Sequence, residues 1–103
     1  MDDHHLGPLT DPPEALRAFV REGRITVMPA KRTRRFLLLE QVAQAFEPGR
    51  HYPERAVDEI LKPLFEDHCV LRRYLIDEDL MSRTPGGHYW RSGGSCPLGD
   101  SYA

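Results

Sequence analysis

The sequence predicts an α+β domain of the winged helix-turn-helix type, a small antiparallel sheet packed on a helical core with an extra N-terminal helix. Three observations predict it. Leu80 to Arg91 reads as two short β-prone runs joined by the turn Thr84-Pro85-Gly86-Gly87. Asp67 to Ile76, directly before that hairpin, has helical spacing and carries Arg72 and Arg73. Further helical patterns precede it, so the order is helix, strand, three helices, hairpin. A winged helix lays one helix in a DNA groove and rests the hairpin on the backbone.

The elements follow in chain order. Residues 1–10 are polar, contain Gly7 and Pro8, and read as a disordered tail. Asp11-Pro12-Pro13-Glu14 reads as a helix start, with Asp11 as cap and Pro12 in the first turn. Leu16, Phe19 and Val20 then share one face, and Gly23 supplies a left-handed stop. Arg24 to Met28 is β-prone, and the hairpin is expected to pair with it. A helix from Thr33 to Phe46 buries Phe36, Leu39, Val42, Ala43 and Phe46 in one stripe, while Leu37 falls on the polar side and is expected to be covered by the N-terminal helix. Pro53 is placed at the first position of the next helix, which buries Ala56, Val57, Ile60, Leu61 and Leu64. Pro63 removes a backbone donor and should kink or end it. Asp67 caps the last helix. Its residues Val70, Leu71, Tyr74 and Leu75 face inward, while Cys69, Arg72, Arg73 and Ile76 face outward. The domain therefore spans 11–91, and residues 92–103 form a flexible Gly/Ser tail.

Composition fits one small globular domain. The chain has 103 residues, 40% hydrophobic and 29% charged, with a formal charge of −2. No apolar run approaches the ~20 residues that span a bilayer. The acidic start, Met1-Asp2-Asp3-His4-His5, lacks the order of a signal peptide, so a cytoplasmic place is expected. Cys69 and Cys96 do not make a disulfide framework. The mild negative charge opposes strong nonspecific DNA binding, yet basic residues are locally clustered.

Those clusters supply the candidate DNA contacts. Arg72 and Arg73, with His68 one turn earlier, occupy the outer side of the proposed recognition helix, where arginine pairs with guanine or phosphate. Their bland alternative is pairing with Glu66, Asp77 or Glu78. Arg83 and Arg91 lie on the wing and suit phosphate contact. Tyr89 and Trp90 read as packing residues, the Trp at the base of the sheet on the core. Lys31, Arg32, Arg34 and Arg35 precede or open a helix, where positive charge opposes the macrodipole. That cost suggests a phosphate partner; a cluster neutralised by Glu14, Glu22 or Glu40 is the alternative.

Enzymatic chemistry finds no support in the sequence. Cys69 beside His68, or Cys96 with His88, lacks an orienting third group. Gly86-Gly87 is a turn, not a phosphate loop. No Cys-x-x-Cys or His-x-x-x-His pair points to metal, and no cofactor is expected.

The chain also resembles a bacterial domain-of-unknown-function family, number 2087. The resemblance rests on Gly23-Arg24-Ile25, Met28-Pro29-Ala30-Lys31, Phe36-Leu37-Leu38-Leu39, Phe46-Glu47-Pro48-Gly49-Arg50 and Tyr52-Pro53-Glu54. It continues through Ile60-Leu61, then Asp67 with Leu71-Arg72-Arg73-Tyr74-Leu75-Ile76-Asp77, and ends in Gly87-His88-Tyr89-Trp90-Arg91. It covers about Phe19 to Arg91, and Pro63 departs from the family's usual residue. Members standing alone or joined to ArsR-type regulators imply a role in transcription, and the family carries no catalytic residues to transfer.

The expectation is thus a small transcriptional regulator that binds double-stranded DNA, as a homodimer or beside a protein partner, without membrane association. The other reading is a winged-helix module that docks on the transcription machinery or another regulator without touching DNA. A metal or ligand sensor is the third.

Overall fold

The computed structural model describes residues 7–93. A 3-10 helix, Glu14–Phe19, leads into the two-residue strands β1, Val20–Arg21, and β2, Arg24–Ile25. Then come α1, Arg32–Ala43, β3, His51–Pro53, α2, Glu54–Leu61, and α3, His68–Asp77. The chain ends in the hairpin β4, Met81–Arg83, and β5, His88–Arg91. From α1 onward the order is helix, strand, helix, helix, hairpin, the winged-helix plan. The three-stranded antiparallel sheet has the order β3-β5-β4.

The partner of the hairpin differs from expectation. The Arg24–Met28 run does not join it: Ile25 pairs with Val20 in a separate two-stranded ribbon. The hairpin instead pairs with β3, Tyr52 opposite Tyr89 and Pro53 opposite His88. Pro53 was expected inside the first turn of α2. It ends β3 and stands just before the helix in extended conformation, φ −67° and ψ 155°. Proline lacks the amide a central strand needs, and β3 is an edge strand that tolerates it. The next amide, Glu54 N–H, closes the ladder by donating to the Gly87 carbonyl at 3.0 Å.

The N-terminal helix is shorter and tighter than the sequence pattern suggests. It is one stretch of 3-10 helix preceded by Pro13, with no side-chain cap, so Asp11 does not cap it. Gly23 does adopt positive φ, 79°, but not to end a helix. Glu22, φ 54°, and Gly23 form the two-residue turn between β1 and β2. Positive φ at both central residues gives the type I′ twist that suits a tight hairpin. Leu9, within the stretch expected to be a tail, is fully buried.

In α1, Leu39, Val42, Ala43 and, just beyond it, Phe46 are buried as the spacing predicts. Leu37 lies on the polar side of α1 as its spacing predicts, but the N-terminal helix does not cover it. Leu38 is fully buried, whereas Leu37 stays 45% exposed. At 100° per residue, Leu37 points opposite the arc of Leu39, Val42 and Phe46. Packing against α3 and the 3-10 helix covers the flanks of that arc, not its back.

Helix α2 stops at Leu61, and Pro63 follows in the turn, as its missing donor requires. Asp67 caps α3, its Oδ1 accepting the Val70 amide at 3.2 Å. The helix ends with Asp79 at φ 62° and the reciprocal bonds Leu80 N to Leu75 O and Asp79 N to Ile76 O. This Schellman closure turns the chain and plants Leu80 in the core. The wing turn is a three-residue loop, Pro85-Gly86-Gly87, with Gly87 at φ 88°. Gly87 N–H donates to Thr84 O, and Thr84 N–H to His88 O.

Strand alternation separates the two wing aromatics. Tyr89 is buried beside Met81, Tyr52 and Phe46 in the core cluster. Trp90 faces the other side and stacks on His51, centroids 5.0 Å apart and planes 12° apart. The expected placement of Trp90 on the core is therefore corrected: period two puts Tyr89 there instead.

These placements predict unequal costs. Leu38→Ala should lose about 2–5 kcal/mol in urea unfolding, as a fully buried leucine does. Leu37→Ala should lose under about 0.5 kcal/mol, as a surface change does. Comparable losses would contradict the phase of α1.

Candidate nucleic-acid interface

The face formed by α3 and the wing is built on an ionic brace beneath it. Glu54 and Asp58 lie one turn apart on α2, and His68 and Arg72 one turn apart on α3. This spacing puts each pair on one helix face. Arg72 Nη1 donates to Asp58 Oδ1, and Arg72 Nη2 lies 3.9 Å from Glu54 Oε2. His68 Nε2 approaches the same Asp58 oxygen at 4.0 Å. The Tyr89 hydroxyl donates to Glu54 Oε1 at 2.8 Å and accepts from Arg83 Nη1 at 3.4 Å. A continuous polar chain therefore runs from α3 through α2 to both wing strands. Burial works against the Arg72 charge. Its hydrogen bond to Asp58, with the charges of Asp58 and Glu54, more than offsets that and raises its pKa.

Above the brace, α3 and the wing enclose an open cleft of about 420 Å³. Arg72, Arg73 and Arg83 line it, with Cys69, Ile76, Tyr89 and one exposed carboxylate, Asp77. Arg73 is exposed and makes no ion pair or hydrogen bond to the described residues. Arg83 is exposed too and, among the described residues, hydrogen-bonds only to the Tyr89 hydroxyl. Arg72, by contrast, is committed to α2. Its partners are Asp58 and Glu54, not Glu66, Asp77 or Glu78, the three acids that sequence proximity offers.

The other candidate residues lie apart from this cleft or are held internally. Arg91 Nη1 donates to the Phe46 carbonyl at 3.2 Å, tying β5 to the end of α1. Arg32 makes a two-pronged pair with Glu78, 3.1 and 2.9 Å, joining the start of α1 to the end of α3. Arg35 stacks over Tyr74, 4.9 Å from the ring centroid, and donates to the Pro29 and Ala30 carbonyls. Arg34 lies over Phe19 at 5.9 Å. Lys31 is exposed at the start of α1 and does not cap it with its side chain. The basic cluster thus stitches α1 to its neighbours, and the acid that Arg32 grips is Glu78.

The match to a known family fits this layout. Residues 24–91 match the family described as "Uncharacterized protein conserved in bacteria (DUF2087)". The chain belongs to the DUF2087 family. The matched stretch begins at Arg24, not Phe19, and covers β2 through the wing, hence the whole α3–wing face and its brace. No curated protein and no solved structure matches the chain.

The DUF2087 site brings a thiol, an imidazole and a carboxylate together. Cys69 Sγ lies 3.8 Å from His68 Nε2. Asp58 approaches that same nitrogen. A nucleophile–base–orienter relay needs the carboxylate on the opposite ring nitrogen, so this grouping does not make one. Among the described residues no group of three His, Cys, Asp or Glu side chains is placed to hold a metal ion. Cys96 lies outside the described residues. No described helix is long and apolar enough to cross a membrane.

Sequence reading missed Glu54, Asp58 and Tyr89 as members of the site. The signal was present in the matched i, i+4 spacing of acids on α2 and bases on α3, with Tyr89 two residues after Gly87.

Two outcomes follow. A double-mutant cycle of Asp58→Asn and Arg72→Met should show coupling on the order of 1–3 kcal/mol in urea unfolding, the range of charged hydrogen bonds. The second concerns pH. Hydrogen bonding to Arg32 holds the Glu78 carboxyl below its ordinary range. A carboxylate depressed in the folded state stabilises it above the ordinary carboxylate pKa and loses that contribution as pH falls through the folded value. Melting temperature should therefore fall on acidification below that range, with a shallower fall in Glu78→Gln.

Proposed function

We propose that the protein is a small cytoplasmic regulator that binds double-stranded DNA, with α3 in the major groove and the β4–β5 wing on the phosphate backbone. One observation carries the reading: Arg72, Arg73 and Arg83 converge on one cleft between a helix and a wing, and Arg73 and Arg83 point their charge outward. An arginine on an exposed helix face matches guanine or phosphate bidentately. A hairpin arginine beside it matches the adjoining backbone. Arg72 then acts chiefly by orienting α3 through Asp58. His68 supports that role from the neighbouring turn, and Lys31 and Arg34 supply only peripheral positive charge. The reading is one of binding, without cofactor or catalytic step.

The experiment is duplex binding by fluorescence anisotropy at several salt concentrations. Arg73→Glu and Arg83→Glu should each weaken binding by about 1–3 kcal/mol and lower the salt slope by about one. Folded variants with unchanged affinity and slope would contradict the assignment.

A second reading is favoured by Arg72's engagement with Asp58 and Glu54, which places carboxylates under the recognition face. There the same face docks on a protein of the transcription machinery or on another regulator. Its mark would be binding to that partner that salt hardly weakens, with no duplex retention at low salt.

A further inference from the structure

We propose that Asp77 makes the α3–wing face selective for G·C pairs, its carboxylate accepting from a cytosine amino group close to the guanine that Arg73 contacts. This selectivity rests on the duplex-binding reading of the same cleft and names the bases that enter it.

Asp77 is the one carboxylate among the described residues that line the cleft, and it is exposed. Its side chain makes no ion pair or hydrogen bond to the described residues. Arg73, one turn earlier on the same helix face, is its partner by spacing, yet the two do not pair. The order of the charges accounts for this, since a base placed before an acid is the weaker i, i+4 arrangement. Asp77 is also the last residue of α3, and no basic residue stands in the last turn. A carboxylate there meets the negative end of the helix macrodipole, a small cost. The next acid, Glu78, is compensated by Arg32. Asp77 carries its cost without a gain inside the fold.

A duplex sharpens the question of what Asp77 meets. A phosphate brought against it faces a like charge. The donors that the major groove holds out to a carboxylate are the amino groups of cytosine and adenine. Adenine sets its N7 acceptor beside that amino group, which opposes a carboxylate, whereas cytosine does not. Arg73 has the complementary match, to O6 and N7 of guanine. Residues four apart on a helix lie about 6 Å apart along its axis. Stacked base pairs lie about 3.4 Å apart. Arg73 and Asp77 therefore reach base pairs within about two steps of each other. Cys69 and Ile76 line the cleft without adding charge. Arg73 and Arg83 alone would grip any phosphate backbone. With Asp77 between base edges, the face favours a groove that offers guanine acceptors next to a cytosine donor.

The test is fluorescence anisotropy of the full chain with three short duplexes of equal length. One holds only G·C pairs, one only A·T pairs, and the third is the G·C duplex with N4-methylcytosine. That methyl group keeps base pairing and replaces the amino hydrogen that faces the major groove. Wild type should prefer the G·C duplex over A·T by about tenfold or more, and N4-methylation should cost it about fivefold or more. Asp77→Ala should keep its helical circular dichroism and melting temperature, since the carboxylate holds nothing in the fold. It should bind the A·T duplex on the order of fivefold more tightly at low salt, because a like charge is gone. It should also lose most of the G·C preference and become insensitive to N4-methylation. Wild type that binds no duplex at low salt would sink this selectivity together with the duplex-binding reading. Duplex binding that Arg73→Glu weakens, with the G·C preference unchanged in Asp77→Ala, would overturn the role of Asp77 alone. So would a methylation loss that persists in Asp77→Ala, for it would then be the bulk of the methyl group and not a lost donor.

Discussion

The Asp58–Arg72 pair is the interaction on which the α3–wing face depends. It ties α2 to α3, and through Glu54 and Tyr89 the same network reaches both wing strands. Helix and wing are thereby held as one surface over a partly buried network, not as independent appendages. Such a network is worth having only when each member is satisfied, since a lone charge left under the face would cost several kcal/mol. Glu54 serves two neighbours at once, accepting from Tyr89 while standing near Arg72. The consequence for function is that the arginine most prominent in the sequence is the one least available to a partner.

Much of the fold was legible in the sequence because local signals agreed with the final packing. Asp67 caps α3, Pro63 ends α2, and Gly87 turns the wing, each for a reason confined to a few residues. What stayed hidden was set by long-range pairing. His51 to Pro53 is only three residues long and abuts a helix, so no alternation marks it as a strand; its identity comes from β5 alongside. The Arg24–Met28 run has the better strand composition, yet it folds back on Val20 because Glu22-Gly23 makes a tight turn. Likewise the spacing of α1 sets Leu37 on its outer side, but whether another element covers it depends on long-range packing, and it stays exposed.

The candidate site was readable as a region and not as a set of contacts. The sequence brings α3 and the wing together and marks their arginines. It does not reveal that Arg32, Arg35, Arg72 and Arg91 each have a structural partner, because each has one that is distant in sequence: Glu78, Tyr74, Asp58 and Phe46. Subtracting them leaves Arg73 and Arg83 as the outward cations of the cleft, beside the exposed carboxylate of Asp77. That remainder suits a modest electrostatic footprint, in keeping with a chain of net charge −2.

The most direct measurement of the central claim is a titration of isotopically labelled protein with a short duplex at low salt, followed by amide chemical shifts. The account predicts that the shifts concentrate on Cys69 to Asp77 of α3 and on Arg83 to His88 of the wing. The outer face of α1 around Leu37 should stay unperturbed. No shifts, or shifts centred away from α3 and the wing, would contradict it.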